Sequence, residues 1–348
     1  MVAQNASQES GESPSAIMLR FISGFWVSRA LYVLVKLGIP DLLQNQSKSA
    51  VELAEATHTH APSLYRIMCI LVSVGVMTRD ENDRFALTDV GGTLRKDVPG
   101  SVRAWAVTQL DEEHYQAWGD VLHSVQTGET AFQHQFGMDV WQYRALHPDQ
   151  SKLFDEAMSN LINVINQGIL DSYDFSSLRQ VVDVGGGNGS LLINLLKVNP
   201  NMNGVVFDSP HVAEGARVHI ETTGLSDRCT VVGGNFFDTI PSGGDAYILS
   251  RVIHDWDDEH SVSILKNCRR VMSSENKLLL VERVIPVTID SSAKSQSVMS
   301  SDFNMLVMVG GRERSEAAYK DLLEAAGFKL NRVIATKSVM SIIVATLQ

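Results

Sequence analysis

One segment limits what this chain can fold into more than any other. In Val181-Val-Asp-Val-Gly-Gly-Gly-Asn-Gly-Ser190 an apolar stretch runs straight into glycines, and an apolar helical pattern, Leu191–Leu196, follows at once. A buried strand that turns sharply into a helix suits this order. Its glycines permit a tight turn with positive φ and let the backbone come close to a ligand. The flanking pattern agrees. Gln180–Val184, Gly204–Asp208, Cys229–Val232, Asp245–Ser250 and Lys277–Glu282 are apolar runs of strand length, with helical stretches such as Ser261–Met272 between them. Such alternation implies βαβ units, a parallel sheet and right-handed crossovers. After a helix at Ser315–Ala326, the runs Lys329–Ala335 and Met340–Leu347 are too close for a crossover helix, so they are expected to pair antiparallel. Residues 176–348 thus read as an α/β, Rossmann-like domain: a mostly parallel seven-stranded sheet with an antiparallel C-terminal hairpin.

The first hundred residues are patterned differently. From Ala16 to Leu43 apolar residues recur around most of the helical circumference, among them Phe21, Ile22, Phe25 and Trp26, until Gly38 and Pro40 end the helix. A helix apolar on nearly all sides is buried, and a second subunit is one way to cover it. Ser49-Ala-Val-Glu52 spells a capping box that opens a short helix. A third helix, Ser63–Val74, stops at Gly75; a strand at Val76–Thr78, a polar turn at Asp80–Asp83 and a strand at Arg84–Leu87 follow. Helix, helix and hairpin make a winged-helix arrangement over residues 16–100. A DNA reader needs clustered Lys and Arg, yet the helix that would enter the groove carries Arg66 among Leu64, Ile67, Met68, Ile70 and Leu71. The formal net charge of -11 opposes a polyanionic partner as well. The module reads as structural, and residues 101–175 as a helical linker to the second domain. Residues 1–15, MVAQNASQESGESPS, read as a solvated tail rather than a secretory signal. No run of roughly 18 apolar residues stands out, so no membrane span is expected. Cys69, Cys229 and Cys268 are scattered and odd in number, which suits neither a disulfide framework nor a metal site. A reduced, cytoplasmic chain is the expectation.

The strand at Gly204–Phe207 ends in Asp208, just over twenty residues after Gly185. A carboxylate at that strand end can accept both ribose hydroxyls of a nucleoside cofactor. NAD is one such ligand, but its fingerprint wants a glycine one position beyond Gly189, where Ser190 stands. A G-x-G-x-G turn preceded by the acid Asp183 fits S-adenosylmethionine better; that ligand presents a carboxylate, an ammonium and a sulfonium instead of a pyrophosphate. Asn235 and Phe236, in Val-Gly-Gly-Asn-Phe-Phe-Asp, either contact adenine or form a polar turn over a core ring. His254, in Ser250-Arg-Val-Ile-His-Asp-Trp-Asp-Asp258, falls at the C-terminal end of a parallel strand, the edge where open α/β sheets bind ligands. Glu282 ends the next strand and Glu313 precedes the helix at Ser315; carboxylates on an imidazole fix its tautomer and stabilise its cation. A phenol of pKa about 10 is mostly neutral at neutral pH, so an imidazole of about 6.5 that accepts its proton would aid methyl transfer to oxygen without a metal.

In order and spacing, Val-Asp-Val-Gly-Gly-Gly-Asn-Gly, Phe-Asp-Ser-Pro, Gly-Gly-Asn-Phe-Phe, Arg-Val-Ile-His-Asp-Trp-Asp-Asp-Glu and Gly-Gly-Arg-Glu-Arg-Ser carry a resemblance. Over nearly its whole length the chain resembles the metal-independent, S-adenosylmethionine-dependent small-molecule O-methyltransferases. These include plant caffeate and flavonoid enzymes, acetylserotonin O-methyltransferase, and bacterial phenazine and anthracycline enzymes. The resemblance implies that Gly185 lies against the methionine moiety and Asp208 binds ribose. It puts Gly234, Asn235 and Phe236 around adenine, with Ser250, Arg251 and Tyr143 also at the cofactor, and leaves S-adenosylhomocysteine as product. His254 becomes the general base, flanked by Glu282 and Glu313. Phe154, Met158, Asp255, Asn304, Met305 and Met308 line the acceptor pocket. The N-terminal domain makes a homodimer, and the substrate is a small hydroxylated, aromatic or enolic molecule. Many relatives have an acid at Asn235, and plant enzymes often have His-Ser where Leu161-Ile162 stands here, which makes this pocket more apolar. N-methylation on the same scaffold is the main competing reaction. A cofactor-binding relative turned hydroxylase or decarboxylase is another alternative, and a winged-helix regulator is a third.

Overall fold

A computed structural model describes residues 13–96 and 98–348, without the side chains of residues 155–156 and 159–164. The tail expected over the first twelve residues, and the apolar pair Leu161–Ile162, lie outside what is described. Residues 13–15 are not tail: the first helix is Pro14–Lys36, with Pro14 in its first turn and Ser13 capping it by accepting the Ala16 N–H at 3.2 Å. The chain forms two compact units, one of residues up to Gln116 with His147–Leu161, the other of Ala117–Leu146 with Ile162–Gln348. The stretch 101–175, expected as a linker, is therefore shared out between them.

In the first unit the Ser49 capping box forms as written, with Ser49 Oγ accepting the Glu52 N–H and the Glu52 carboxylate accepting the Ser49 N–H at 2.6 Å. It opens the helix Ala50–Thr57; the next helix, Ala61–Ser73, buries Leu64, Met68 and Leu71. The hairpin gains a member that no sequence pattern announces. Strand β1, Lys48–Ser49, pairs with β3, Arg84–Leu87, whose other neighbour is β2, Met77–Arg79. The long helix Pro14–Lys36 brings a correction. By length and composition it could cross a membrane, with a mean hydropathy of 1.4 over its most apolar window, so an apolar run of that size does exist. Its second half enters the core through Ala30, Leu34 and Val35. Its first half leaves Leu19, Phe21, Ile22 and Trp26 more than half exposed. The apolar pattern predicts burial along the whole helix; in this chain alone only one end is buried.

The second unit holds a seven-stranded sheet. Strands β4 (Gln180–Val184), β5 (Asn203–Asp208), β6 (Cys229–Gly233), β7 (Ala246–Ser250) and β8 (Lys277–Glu282) are parallel. After two short strands, β9 (Val284–Ile285) and β10 (Arg314–Ser315), β11 (Phe328–Ala335) and β12 (Ser341–Leu347) close the edge antiparallel, as expected. The order is β11-β12-β8-β7-β4-β5-β6. Helices cover both faces, which is why these strands are near-continuous apolar runs. Alternate residues feed two cores: Val181, Ile248, Leu279 and Val281 face one side, while Val182, Val184, Leu249, Leu278 and Leu280 face the other. From β4 the chain first builds outward through β5 and β6, then returns to place β7 on the other flank. Such a break in strand order opens a crevice at the C-terminal strand ends, and there the turn after β4 meets the loop after β7.

Candidate active site

The glycine turn is held by backbone. The Gly185 N–H donates to Phe207 O at 2.8 Å, and Gly185, Gly187 and Gly189 all have positive φ. A Cβ on Gly185 would lie 2.6 Å from Val252 Cγ2, so the two loops touch there and a side chain would part them. Asp208 clamps the turn from β5. Its Oδ2 accepts the Gly187 N–H at 2.9 Å and its Oδ1 the Ser209 N–H at 2.6 Å, while burial raises its pKa. Asp183 lies beneath, almost fully buried. Burial, then the charge of Asp208, push it up to about 7, and its Oδ1 has no hydrogen-bond partner among the described residues. Two carboxylates would repel a pyrophosphate; they suit a ligand that brings hydroxyls and positive charge.

At the end of β6, Gly234 admits no Cβ because the Phe207 ring stands 2.5 Å from where it would be. Asn235 is exposed, and its Oδ1 already accepts the Phe237 N–H at 3.0 Å, so the acceptor expected for adenine is turned into the local turn. Phe236 packs edge-on to Phe237 and Trp256. The segment is thus a polar turn with a half-buried ring beside it.

Opposite the glycines, Ser250 ends β7 and Arg251 follows at a φ of 57°, a left-handed conformation that costs a non-glycine residue of order 1–3 kcal/mol. His254 sits on a single 3-10 turn, Ile253–Asp255, which Glu282 pins: its Oε1 accepts the N–H of Val252 at 3.0 Å and of Ile253 at 2.8 Å. The imidazole Nδ1 faces Glu313 Oε1 at 3.3 Å and Glu282 Oε2 at 3.5 Å, and Nε2 faces Asp255 Oδ1 at 3.4 Å. Burial alone would lower the His254 pKa, but Glu282, Asp255 and Glu313 outweigh it and hold the ring up at about 9. That is well above the value of about 6.5 expected of an ordinary imidazole, so the carboxylates make the ring a stronger base. Burial pushes Glu282 up, whereas hydrogen bonding and charge from His254 and Arg283 bring Glu313 below its usual range. Ligand atoms of His254, Glu282 and Glu313 come within 4.8 Å of one another, a spacing a cation could use.

Sequence reasoning missed what holds this cluster. Strand β10 pairs in parallel with β9, Arg314 opposite Val284, and this two-residue ladder brings Glu313 beside Glu282. Arg314, fully buried, donates to Ile253 O at 3.0 Å, Trp256 O at 2.8 Å and Asp258 Oδ1 at 2.9 Å. Gly311 packs so tightly that a Cβ would lie 2.0 Å from His254 O. Ser301 donates to Glu313 Oε1 at 2.7 Å, Arg283 pairs with it at 3.5 Å, and the buried Arg144 acts on Asp255. The segments carrying these residues are visible in the sequence, but no local pattern shows which side chains turn inward.

Of the acceptor residues, Asn304 accepts the Trp118 Nε1–H at 3.0 Å and Met305 is half-buried. Met308 is enclosed with Phe132 and Val140 in a small core on which Tyr143 also packs, against Phe132 and Phe136. Phe154 and Met158, four residues apart and so on one face of the helix Pro148–Ser172, belong to the first unit.

Comparison with known proteins gives this geometry a family. The O-methyltransferase domain matches residues 118–329, and the O-methyltransferase dimerisation domain matches residues 19–97. The chain is a member of the S-adenosylmethionine-dependent O-methyltransferases. This O-methyltransferase is 43% identical over 329 residues to phenazine O-methyltransferase PhzM of Lysobacter antibioticus, covering 94% of this chain and 95% of the relative. The crystal structure of LaPhzM superimposes with a TM-score of 0.92 at 42% identity, over 97% of this chain and all of the other. An O-methyltransferase of neocarzinostatin biosynthesis, solved with S-adenosylmethionine and 2-hydroxy-5-methyl naphthoic acid, gives a TM-score of 0.81 at 34% identity, covering 92% and 96%. Phenazine-1-carboxylate N-methyltransferase of Pseudomonas aeruginosa is 32% identical over 91% of this chain and 92% of its own length. The family is metal-independent, and the donor is S-adenosylmethionine.

Proposed function

We propose that this enzyme methylates a phenolic or enolic hydroxyl of a small aromatic metabolite and that His254 manages the hydroxyl proton as general base. One observation carries this reading: a buried imidazole at the break in strand order, with Nδ1 gripped by Glu282 and Glu313 and Nε2 on the Asp255 side. The carboxylates make His254 a stronger base than a free imidazole, which narrows the gap to a phenol of pKa about 10. Glu282 does this twice over, by charge and by fixing the backbone turn that carries the ring. Gly185, Asp208 and the strand end at Gly234–Phe236 would hold S-adenosylmethionine, which supplies an electrophilic methyl group. Asp183 and Asp208 offset its positive charge. Asp255, Asn304 and Met305 are the acceptor-side residues of this unit. The dimerisation domain supports a homodimer, and the exposed first half of Pro14–Lys36 is the surface a second copy would cover.

The test is methyl transfer from labelled S-adenosylmethionine to a panel of phenols, enols and aromatic amines, with His254→Ala in parallel. Label on oxygen is expected, with turnover by the variant lost and donor affinity within about twofold of the parent. Full turnover by His254→Ala would remove the base assignment. Label on nitrogen would favour the N-methylating branch represented by the Pseudomonas relative.

A further inference from the structure

We infer that the enzyme selects hydroxyls lying beside a hydrogen-bond acceptor on the same ring system, a ring nitrogen or a neighbouring carbonyl oxygen, and that the Asn304 amide, oriented by Trp118, reads that acceptor. This rests on the O-methyltransferase reading, with His254 taking the hydroxyl proton, and adds the class of hydroxyl. An asparagine side chain can present either end, a carbonyl oxygen or an NH2 group. Here the choice is forced. The Trp118 indole nitrogen carries a hydrogen and can only donate, and Asn304 Oδ1 accepts it at 3.0 Å. Trp118 is itself held by packing: its ring meets Phe303 edge-on with 5.4 Å between centroids and packs on the small core of Ala117, Phe132 and Val307. The amide is therefore set with Oδ1 spent and Nδ2 left over. Among the described residues Nδ2 has no hydrogen-bond partner, and the half-buried Asn304 does not seal it away.

Placement ties that amide to the base. Ser301 and Asn304 are three residues apart on the helix Ala293–Met308, so they share a face one turn apart. Ser301 donates to Glu313 Oε1 at 2.7 Å, and the same oxygen faces His254 Nδ1 at 3.3 Å. From base to amide the path is two side chains and one helical turn. A hydroxyl that gives its proton to His254 uses an oxygen lone pair to form the O–C bond as the methyl carbon's bond to sulfur breaks. An N–H placed on that lone pair would slow the attack, so the Asn304 donor serves a neighbouring atom instead. Along this face Met305 has no donor to offer, and Ser301 has already given its hydrogen to Glu313. An acceptor without the matching atom would strip water from the Asn304 NH2 and return nothing, which is how a site built to hydrogen-bond one group rejects the analogue lacking it. Hydroxyls beside a ring nitrogen, and hydroxyls ortho or peri to a carbonyl, satisfy the amide; plain phenols leave it bare.

The test compares 8-hydroxyquinoline with 1-naphthol, two acceptors of one shape in which a ring nitrogen replaces a C–H beside the hydroxyl. Both hydroxyls are phenolic, of pKa about 10. With labelled S-adenosylmethionine, kcat/KM for the quinoline should exceed that for the naphthol by roughly tenfold or more. The ratio of the two is blind to how much of a variant is folded. Trp118→Phe keeps a ring against Phe303 but frees the amide to turn over, and should cut the ratio by about threefold. Asn304→Asp puts an oxygen in place of the donor and should bring the ratio to about one. A ratio near one in the parent, or a ratio in Asn304→Asp equal to the parent's, would overturn the inference. Binding is read without turnover by nitrogen–proton NMR of the full chain saturated with S-adenosylhomocysteine. The Asn304 NH2 signal, assigned by its absence in Asn304→Asp, should move downfield with 8-hydroxyquinoline and not with 1-naphthol, ring-current shifts being common to both. A signal moved equally by the two would overturn the inference as well. Failure of the underlying O-methyltransferase reading looks different: no methyl ether from either acceptor, while the NH2 signal still responds to the quinoline.

Discussion

The two loops that meet at the break in strand order are built in opposite ways. The turn after β4 works through backbone: three glycines with positive φ, amide hydrogens tied to Phe207 and Asp208, and no side chain of its own between the strand and Ser190 except Asn188. The loop after β7 works through side chains gathered from far along the chain, His254, Glu282, Glu313 and Arg314, with glycine serving only as a close neighbour at Gly311. Backbone sites are written in consecutive residues and side-chain sites are not. If one loop holds the donor and the other the chemistry, changes to each should separate donor affinity from turnover.

The sharpest break between them is Gly311→Ala. The new Cβ would come within 2.0 Å of His254 O and 2.5 Å of the Asp255 carbonyl carbon, both backbone atoms that cannot swing aside. The turn carrying His254 must shift, and a displacement near 1 Å is enough to cost about a hundredfold in kcat. Donor affinity, measured by calorimetry, should stay within about twofold. A loss of donor affinity matching the loss of turnover would mean that the loops act as one unit.

A second prediction concerns the ground under the glycine turn. Asp183 is held up at about 7 by burial and by Asp208, against about 3.9 in an unfolded chain. Between those values the folded state keeps a proton that the unfolded state has lost, so this residue's contribution to stability falls as pH rises from about 4 to about 7 and is level above. Asp183→Asn stays neutral throughout. Its stability relative to the parent, read from melting temperatures, should therefore climb across that window, towards a gain on the order of 4 kcal/mol at neutral pH. A constant difference from pH 4 to 8 would show that Asp183 titrates normally. Catalysis is expected to respond less than stability, since the carboxylate lies below the turn and not in the His254 cluster.

The same contrast decides which features are legible in the order of amino acids alone. The strands and the antiparallel hairpin are legible because both faces of the sheet are covered and each strand is an apolar run. The Ser49–Glu52 box is legible because its hydrogen bonds are local. Glu282 and Glu313 can be named from the sequence as carboxylates at element ends, but not as partners, because the ladder joining them is two residues long and makes no pattern. The imidazole's basicity escapes the sequence for the same reason: three carboxylates converge on it from residues 255, 282 and 313, and convergence is not a property of any one segment. At the other end of the chain, the apolar residues all around Pro14–Lys36 predict a covered helix. The sequence cannot say whether the cover is the same chain or a second copy.

Asp208 offers the finest test of the backbone loop, because two roles overlap there. Both carboxylate oxygens already accept backbone N–H groups, Gly187 at 2.9 Å on Oδ2 and Ser209 at 2.6 Å on Oδ1; Oδ1 also accepts the Ser209 hydroxyl at 3.2 Å, so Oδ2 keeps the lone pair open to a ribose hydroxyl. Asp208→Ala removes both functions and should weaken S-adenosylmethionine by roughly tenfold, the scale of one buried hydrogen-bonding partner. Asp208→Asn keeps the shape and one acceptor oxygen. If clamping the turn is the main role, asparagine holding the Gly187 N–H should restore most of the affinity. If the residue mainly receives ribose hydroxyls, asparagine offers an amide donor where an acceptor is needed and should remain nearly as weak as alanine. A 2′-deoxy analogue of S-adenosylhomocysteine then separates the roles again: it should bind the parent less tightly than the natural product but bind Asp208→Ala almost equally well. An undiminished preference for the natural product in the alanine variant would place the ribose contact on another residue and leave Asp208 as a clamp alone.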